Sequence, residues 1–242
     1  MNKQKIATLV LLHGWGSKAH SWHVIKQKLE LSGYRCLSVL FPGFDLPQPP
    51  EPWGVPEYAD YVLSKLEQLQ VKPPFTFVGH SFGGRVSIYI AATHPELVDK
   101  LILTDSAGVE NRRTPKLLLV NTLSKLFKMV DGIQGVNKIS RPLRKFIWRF
   151  TASPDYSNAS PVMREILKKV VTLNLEQYLP NIRAETLVIW GDKDEVTRVR
   201  DARILNRGIR GSHLVMIRGA GHNAHITHVY EWLRHAITFL EK

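Results

Sequence analysis

The sequence predicts an α/β domain with a mostly parallel sheet. Three observations lead there. Apolar runs without strict alternation recur at 6–12, 34–40, 75–79, 100–105, 186–190 and 213–218, as strands buried on both faces do. Helical patterns fall between these runs, the arrangement that builds parallel sheets. The chain's 242 residues, 44% hydrophobic and 22% charged, suit one globular domain with room for an inserted lobe.

The elements read in order. Residues 6–12 follow Lys3 and Lys5 and resemble a signal peptide only briefly. Their apolar run is short, and His13-Gly14-Trp15-Gly16 follows instead of a small-residue cleavage site, so a buried strand is expected. Residues 20–31 carry Trp22, Ile25 and Leu29 at helical spacing. Segment 42–56 is proline-rich and reads as a long loop. Pro56 opens a helix over 56–69 with Tyr58, Val62, Leu66 and Leu69. A helix over 82–93 stops at His94-Pro95. Residues 223–240 carry Ile226, Val229, Leu233, Ile237 and Leu240, one further helical stripe.

Between 109 and 182 the strand signal disappears. Thr114-Pro115, Arg141-Pro142 and Ser160-Pro161 each resemble a helix start. The last of them precedes Ile166, Leu167, Val170 and Val171. This predicts a helical lobe over 109–182, inserted into a core of 1–108 and 183–242. The lobe also concentrates charge. Segment 111–149 holds ten basic residues and one acidic residue, Asp131, so it carries +9 of the chain's +12. A solvated face accounts for this most simply. Contact with an anionic surface or substrate is the sharper reading. The segment lacks the interleaved aromatics of a single-strand groove, so nucleic acid is not expected. No run approaches a membrane span. The lone Cys36 excludes an internal disulfide and reads as a small buried hydrophobe. A soluble cytoplasmic protein is expected.

Three glycines surround one serine in Gly79-His80-Ser81-Phe82-Gly83-Gly84, where a strand-like run becomes a helix. The pattern G-x-S-x-G in that context is a nucleophile elbow, its glycines permitting a sharp turn that exposes the hydroxyl of Ser81. Serine needs a base, and the base needs an orienting acid. In chain order the acid comes first, then histidine. The run 187–190 ends in Gly191-Asp192-Lys193-Asp194, and the run 214–217 leads to Gly219-Ala220-Gly221-His222. His222 is the candidate base. Asp194 is the favoured acid, with Asp192, Glu195 and Asp105 as rivals. Backbone N–H groups of Phe82, after the nucleophile, and Trp15, in the loop after the first strand, are the candidate oxyanion donors. His222, His225 and His228 recur at three-residue steps without a matching carboxylate or cysteine set, so no metal site is expected. His13 and His80 sit inside glycine motifs and read as structural.

These stretches, HGWG at 13–16, GHSFGG at 79–84, GDKD at 191–194 and GAGH at 219–222, resemble the α/β-hydrolase superfamily, in particular its small capped esterase-like members. Pro42-Gly43-Phe44 is similar to the family's P-G-x-G turn, with Asp45 standing where the glycine would continue. The resemblance spans essentially the whole chain, and 109–182 matches the position of the family's helical cap. Five residues before the first strand imply a shortened sheet of about six strands. The implied activity is ester hydrolysis through an acyl-enzyme on a Ser81-His222-Asp194 triad, without metal or organic cofactor. Carbon–carbon bond hydrolysis or perhydrolysis on the same triad is the alternative, and a binding module with vestigial activity is a third. The expected partner is a small-molecule ester. Phe146, Trp148, Phe150 and Met163 are candidate substrate-lining residues of the cap, although the same side chains suit the lobe's own core.

Overall fold

The computed structural model describes residues 8–17, 19–44, 46–109 and 159–242. Six strands lie among them: β1 Thr8–Leu12, β2 Cys36–Val39, β3 Phe75–His80, β4 Val98–Thr104, β5 Glu185–Gly191 and β6 His213–Ile217. They form one sheet in the order β2-β1-β3-β4-β5-β6, and every neighbouring pair is parallel. The expected shortened six-stranded sheet is therefore what the described residues form. Strand β2 is shorter than the expected 34–40, and β4 begins two residues earlier than expected.

The helices are α1 His23–Leu31, α2 Val55–Gln68, α3 Phe82–Thr93, α4 Pro161–Thr172, α5 Val199–Gly208, α6 Ala224–Thr227 and α7 Val229–Leu240. The expected single helix over 223–240 is thus two, separated at His228, whose φ of −127° and ψ of 48° leave the helical region. In α4, Met163, Ile166 and Val170 are buried, but Val171 of the expected stripe is exposed. The helix starts expected at Thr114-Pro115 and Arg141-Pro142 lie outside the described residues.

Both faces of the sheet are buried, as its apolar strands require. One face carries Leu9, Leu11, Val78, Ile102, Leu187, Ile189 and Ile217. It packs with Ile25 and Leu29 of α1 and Trp232, Leu233, Ala236 and Phe239 of α7. The alternate residues Val10, Leu12, Phe77, Leu101, Leu103, Val188 and Trp190 are buried too. There α3 meets β1, β3 and β4, α2 packs on α3, and α5 meets β5. Helix α2 begins where Glu57 accepts the Gly54 N–H at 2.7 Å and Pro56 sets the first turn. It buries Val55, Tyr58, Ala59, Val62 and Leu66, one helical face. Cys36 is buried, and desolvation pushes its thiol up to about 12.

The chain divides into two compact units, Met1–Glu110 with Glu165–Lys242, and Asn111–Arg164. The second falls within the stretch read as an inserted lobe, and most of it lies outside the described residues. Within the first unit the Leu175 N–H donates to the Gly108 carbonyl at 2.9 Å.

Asp105 follows β4 and is fully buried. Its carboxylate accepts the Gly191 N–H at the end of β5 at 2.8 Å and the Ala224 N–H beyond β6 at 3.1 Å. Burial pushes its pKa up to about 7, outweighing the opposing pull of those two bonds. The folded state therefore holds this proton more tightly than the unfolded chain. The associated stability is complete below the ordinary value of 3.8 and is lost as pH rises to about 7. Removing the titration with Asp105→Asn should improve the variant relative to wild type as pH climbs, by up to about 1.4 kcal/mol per pH unit within the window. Thermal melts of both proteins from pH 5 to pH 8 test this. A gap in melting temperature that stays constant across that range contradicts it.

Candidate active site

Ser81 stands between β3 and α3 with φ 50° and ψ −109°. The left-handed φ falls on the serine, whereas Gly79, Gly83 and Gly84 do not have positive φ. All three serve close approach: a Cβ on Gly79 would stand 2.6 Å from the Gly83 carbonyl oxygen. A Cβ on Gly83 would collide with the Leu12 carbonyl, and one on Gly84 with the Ser106 side chain. Helix α3 thus begins pressed against the ends of β1 and β4.

The C-terminal ends of the parallel strands lie along one edge of the sheet, and Ser81 stands at that edge. β1 lies between β2 and β3, so the connections diverge where the loop after β1 meets the turn after β3, the position where open α/β sheets place ligands. His222 lies on the loop after β6. Its Nε2 is 3.0 Å from Ser81 Oγ, and its Nδ1 is 2.8 Å from Asp194 Oδ2. Ser81 O–H can therefore donate to Nε2 while Nδ1–H donates to the carboxylate. The structure brings Ser81, His222 and Asp194 into one hydrogen-bonded line.

Asp194 has a dense set of donors. Oδ1 accepts the N–H groups of Val196 at 2.8 Å and Thr197 at 2.9 Å, and Thr197 Oγ1 lies 2.7 Å from Oδ2. Burial acts to raise its pKa, but the bonds from His222 and Thr197 together hold it below the ordinary value. The rivals have other partners. Asp192 accepts the Gly219 N–H at 2.6 Å, and Asp105 holds Gly191 and Ala224. Glu195 is exposed.

Phe82 is the first residue of α3, where an N–H has no acceptor within the helix. The 13–16 loop runs beside Ser81, because a Cβ on Gly14 would stand 3.3 Å from Ser81 Cβ. Trp15 lies next in that loop and packs edge-on against Phe82 and Phe44, with ring centroids 5.6 and 5.0 Å apart. His13 anchors the loop by accepting the Phe41 N–H at Nε2, 3.1 Å away. Asp45, the departure from the familiar turn, lies outside the described residues, as do Phe146, Trp148 and Phe150. Met163 is in the first turn of α4, where its N–H donates to Ser160 Oγ at 3.3 Å.

Sequence reasoning missed Thr197, which sits three residues after Asp194 without any local pattern to mark it. It also missed the ring cluster of Trp15, Phe41, Phe44, Tyr58 and Phe82. Among the described residues, one group offers three metal-ligating atoms close together: His80, Asp105 and His225, within 4.8 Å. It differs from the His222, His225, His228 set weighed from spacing. Both oxygens of Asp105 already accept backbone N–H groups.

Comparison with known proteins agrees with this architecture. A family model for the alpha/beta hydrolase fold matches residues 7–229. Lipase 3 of Moraxella sp. (strain TA144) is 27% identical over 231 residues, covering 88% of this chain and 71% of that protein. Pimeloyl-[acyl-carrier protein] methyl ester esterase of Neisseria meningitidis serogroup A is 25% identical over 234 residues, covering 92% of this chain and 73% of that protein. The crystal structure of a membrane phospholipase A described as a bacterial virulence factor superposes with a TM-score of 0.75 at 25% identity, covering 99% of this chain and 80% of that one. With a family model spanning nearly its whole length and a matching sheet, the chain belongs to the alpha/beta hydrolase fold family.

Proposed function

We propose that the protein is a carboxylic ester hydrolase whose nucleophile is Ser81. One observation carries this reading: the unbroken hydrogen-bonded line from Ser81 Oγ through His222 to Asp194. In the proposed first step Ser81 Oγ attacks the ester carbonyl and its proton passes to His222 Nε2. Asp194 faces the resulting imidazolium as a carboxylate. The Phe82 and Trp15 N–H groups hold the oxyanion. His222 then protonates the leaving alcohol, and water, activated by the same imidazole, cleaves the acyl-enzyme. These groups accomplish every proton transfer, so the scheme calls for no cofactor. The inserted segment 109–182 is assigned the selection of acyl size, through Phe146, Trp148, Phe150 and Met163. Among the described residues no helix is long and apolar enough to cross a membrane. We place the enzyme in the cytoplasm on its sequence alone.

The test is hydrolysis of nitrophenyl esters from acetyl to long acyl. Ser81→Ala and His222→Ala should each lower kcat by about four to six orders of magnitude, and the two together by no more than either alone. Undiminished turnover in Ser81→Ala would overturn the serine mechanism.

The charge of 111–149 favours a more specific reading of the substrate. A stretch at +9 suits an ester presented on an anionic carrier or surface. The methyl ester esterase relative acts, by its name, on an ester attached to acyl-carrier protein. Raising ionic strength from about 0.05 to 0.5 M shortens the screening length severalfold. KM for an ester on an anionic carrier or vesicle should then rise severalfold, while KM for a neutral nitrophenyl ester stays level. Equal salt dependence for both substrates would assign the charge to solubility.

A further inference from the structure

We infer that His80, the residue before the proposed nucleophile, is a positioning residue that fixes the main chain of His222 relative to Ser81. The inference rests on the reading of Ser81 and His222 as nucleophile and base. Its core observation is a buried hydrogen bond spanning 142 residues of sequence: His80 Nε2 lies 2.8 Å from the His222 carbonyl oxygen. A carbonyl only accepts, so Nε2 carries the proton and donates it. The other ring nitrogen, Nδ1, is buried and has no hydrogen-bond partner among the described residues. It faces Gly14 of the loop after β1, where an added Cβ would stand 2.7 Å away.

Several surfaces hold the ring in this pose. His80 packs against the His225 ring at 4.4 Å between centroids, and His225 packs in turn on Trp22 at 4.3 Å. The His222 ring lies 5.0 Å from that of His80. Titratable neighbours are His222, Asp194, His13, His225 and Asp105. Burial dominates among their effects and pushes His80 down to about 3. Its imidazole therefore stays neutral through the ordinary working range and keeps one donor aimed at one carbonyl. On the far side of His222, the Ala224 N–H donates to Asp105 at 3.1 Å. The backbone around the base is thus gripped at the His222 carbonyl and at the N–H two residues on.

The consequence is geometric. His80 is covalently joined to Ser81, so a single side chain links the nucleophile's backbone to that of the base. The Oγ–Nε2 separation then depends on a short path through two adjacent residues as well as on the long path through the sheet. Displacements of about 1 Å in such a pair cost on the order of 100-fold in rate.

Two substitutions test this. His80→Leu keeps bulk and removes the donor, whereas His80→Gln places an amide N–H near the original Nε2. Leu should lower kcat on a nitrophenyl ester by about 10- to 100-fold with KM within about twofold, and Gln should recover most of the loss. The downfield proton resonance of His222 Nδ1–H, assigned by its absence in His222→Ala, should broaden or shift in Leu and return in Gln. If Leu fails to fold, His80→Asn replaces it, with the same amide on a stem too short to reach the carbonyl, and it should behave as described for Leu. Wild-type kcat and an unchanged resonance in the donor-less variant overturn the inference. Equal impairment in Gln and in the donor-less variant does so too. A fully active Ser81→Ala would instead sink the functional reading, and the resonance would still report whether His80 anchors the loop.

Discussion

The candidate site depends first on one serine held in a left-handed backbone conformation. A side chain at φ 50° crowds its own carbonyl, a strain on the order of 1–3 kcal/mol. Surrounding bonds keep it there. The Ser81 N–H donates to the Thr104 carbonyl at 3.1 Å, and the Ser81 carbonyl accepts the N–H groups of Arg85 and Ala107 at 3.2 and 3.0 Å. Those partners come from the end of β4 and the first turn of α3. They meet only because α3 starts hard against the sheet, which the missing Cβ atoms of Gly83 and Gly84 permit. Glycine and serine thus divide the work of the elbow: the glycines admit the helix, and the serine takes the strained φ that aims its hydroxyl at His222.

Two buried carboxylates, Asp194 and Asp105, show how environment separates similar groups. Asp194 receives donors on both oxygens, including the imidazole, and its pKa falls although burial opposes this. Asp105 receives two backbone N–H groups, and burial prevails. A carboxylate facing an imidazole that becomes cationic must itself remain charged, and the Thr197 hydroxyl and the N–H groups of Val196 and Thr197 serve that end. Asp105 takes its hydrogen bonds from backbone N–H groups alone, so its value lies in joining β4 to the end of β5 and the loop beyond β6.

Much of this was legible in the sequence, for identifiable reasons. Parallel strands buried on both faces leave continuous apolar runs, so β3 and β5 could be placed to within a residue. The glycines around Ser81 and the strand-then-loop context of Asp194 and His222 are local patterns, and they marked the three residues that the fold brings together. Depth in the loop favours Asp194 over Asp192, Glu195 and Asp105, but only the three-dimensional path of the β6 loop determines which carboxylate meets His222. Thr197 and the anchoring bond of His80 leave no periodic trace either. His80 reads as structural from its place in a glycine motif, and its acceptor lies 142 residues away. The glycines mark where Cβ atoms are missing, and only the structure reveals which neighbours occupy the space.

The remaining problem is one of reach. In the sheet order β6 lies three positions from β3. At about 4.8 Å per strand that is about 14 Å, farther than a histidine side chain extends. The loop after β6 must therefore double back across the ends of β5 and β4 before His222 can meet Ser81. Its bonds trace that path. Over β5, the N–H groups of Asp192 and Lys193 donate to the carbonyls of Ile217 and Ala220 at 3.1 and 2.9 Å. Over β4, Asp105 takes the Ala224 N–H. At β3, His80 donates to His222 itself. Each strand passed contributes a grip, and β4, which supplies none of the proposed reacting atoms, also holds the groups to either side: Thr104 O takes the Ser81 N–H, and Thr104 Oγ1 takes the indole N–H of Trp232 on α7 at 3.0 Å. A loop carried that far from its strand would drift without such holds. The buried polar groups beneath the triad are therefore best understood as the means by which a parallel sheet brings residues from distant strands to within 3 Å of one another.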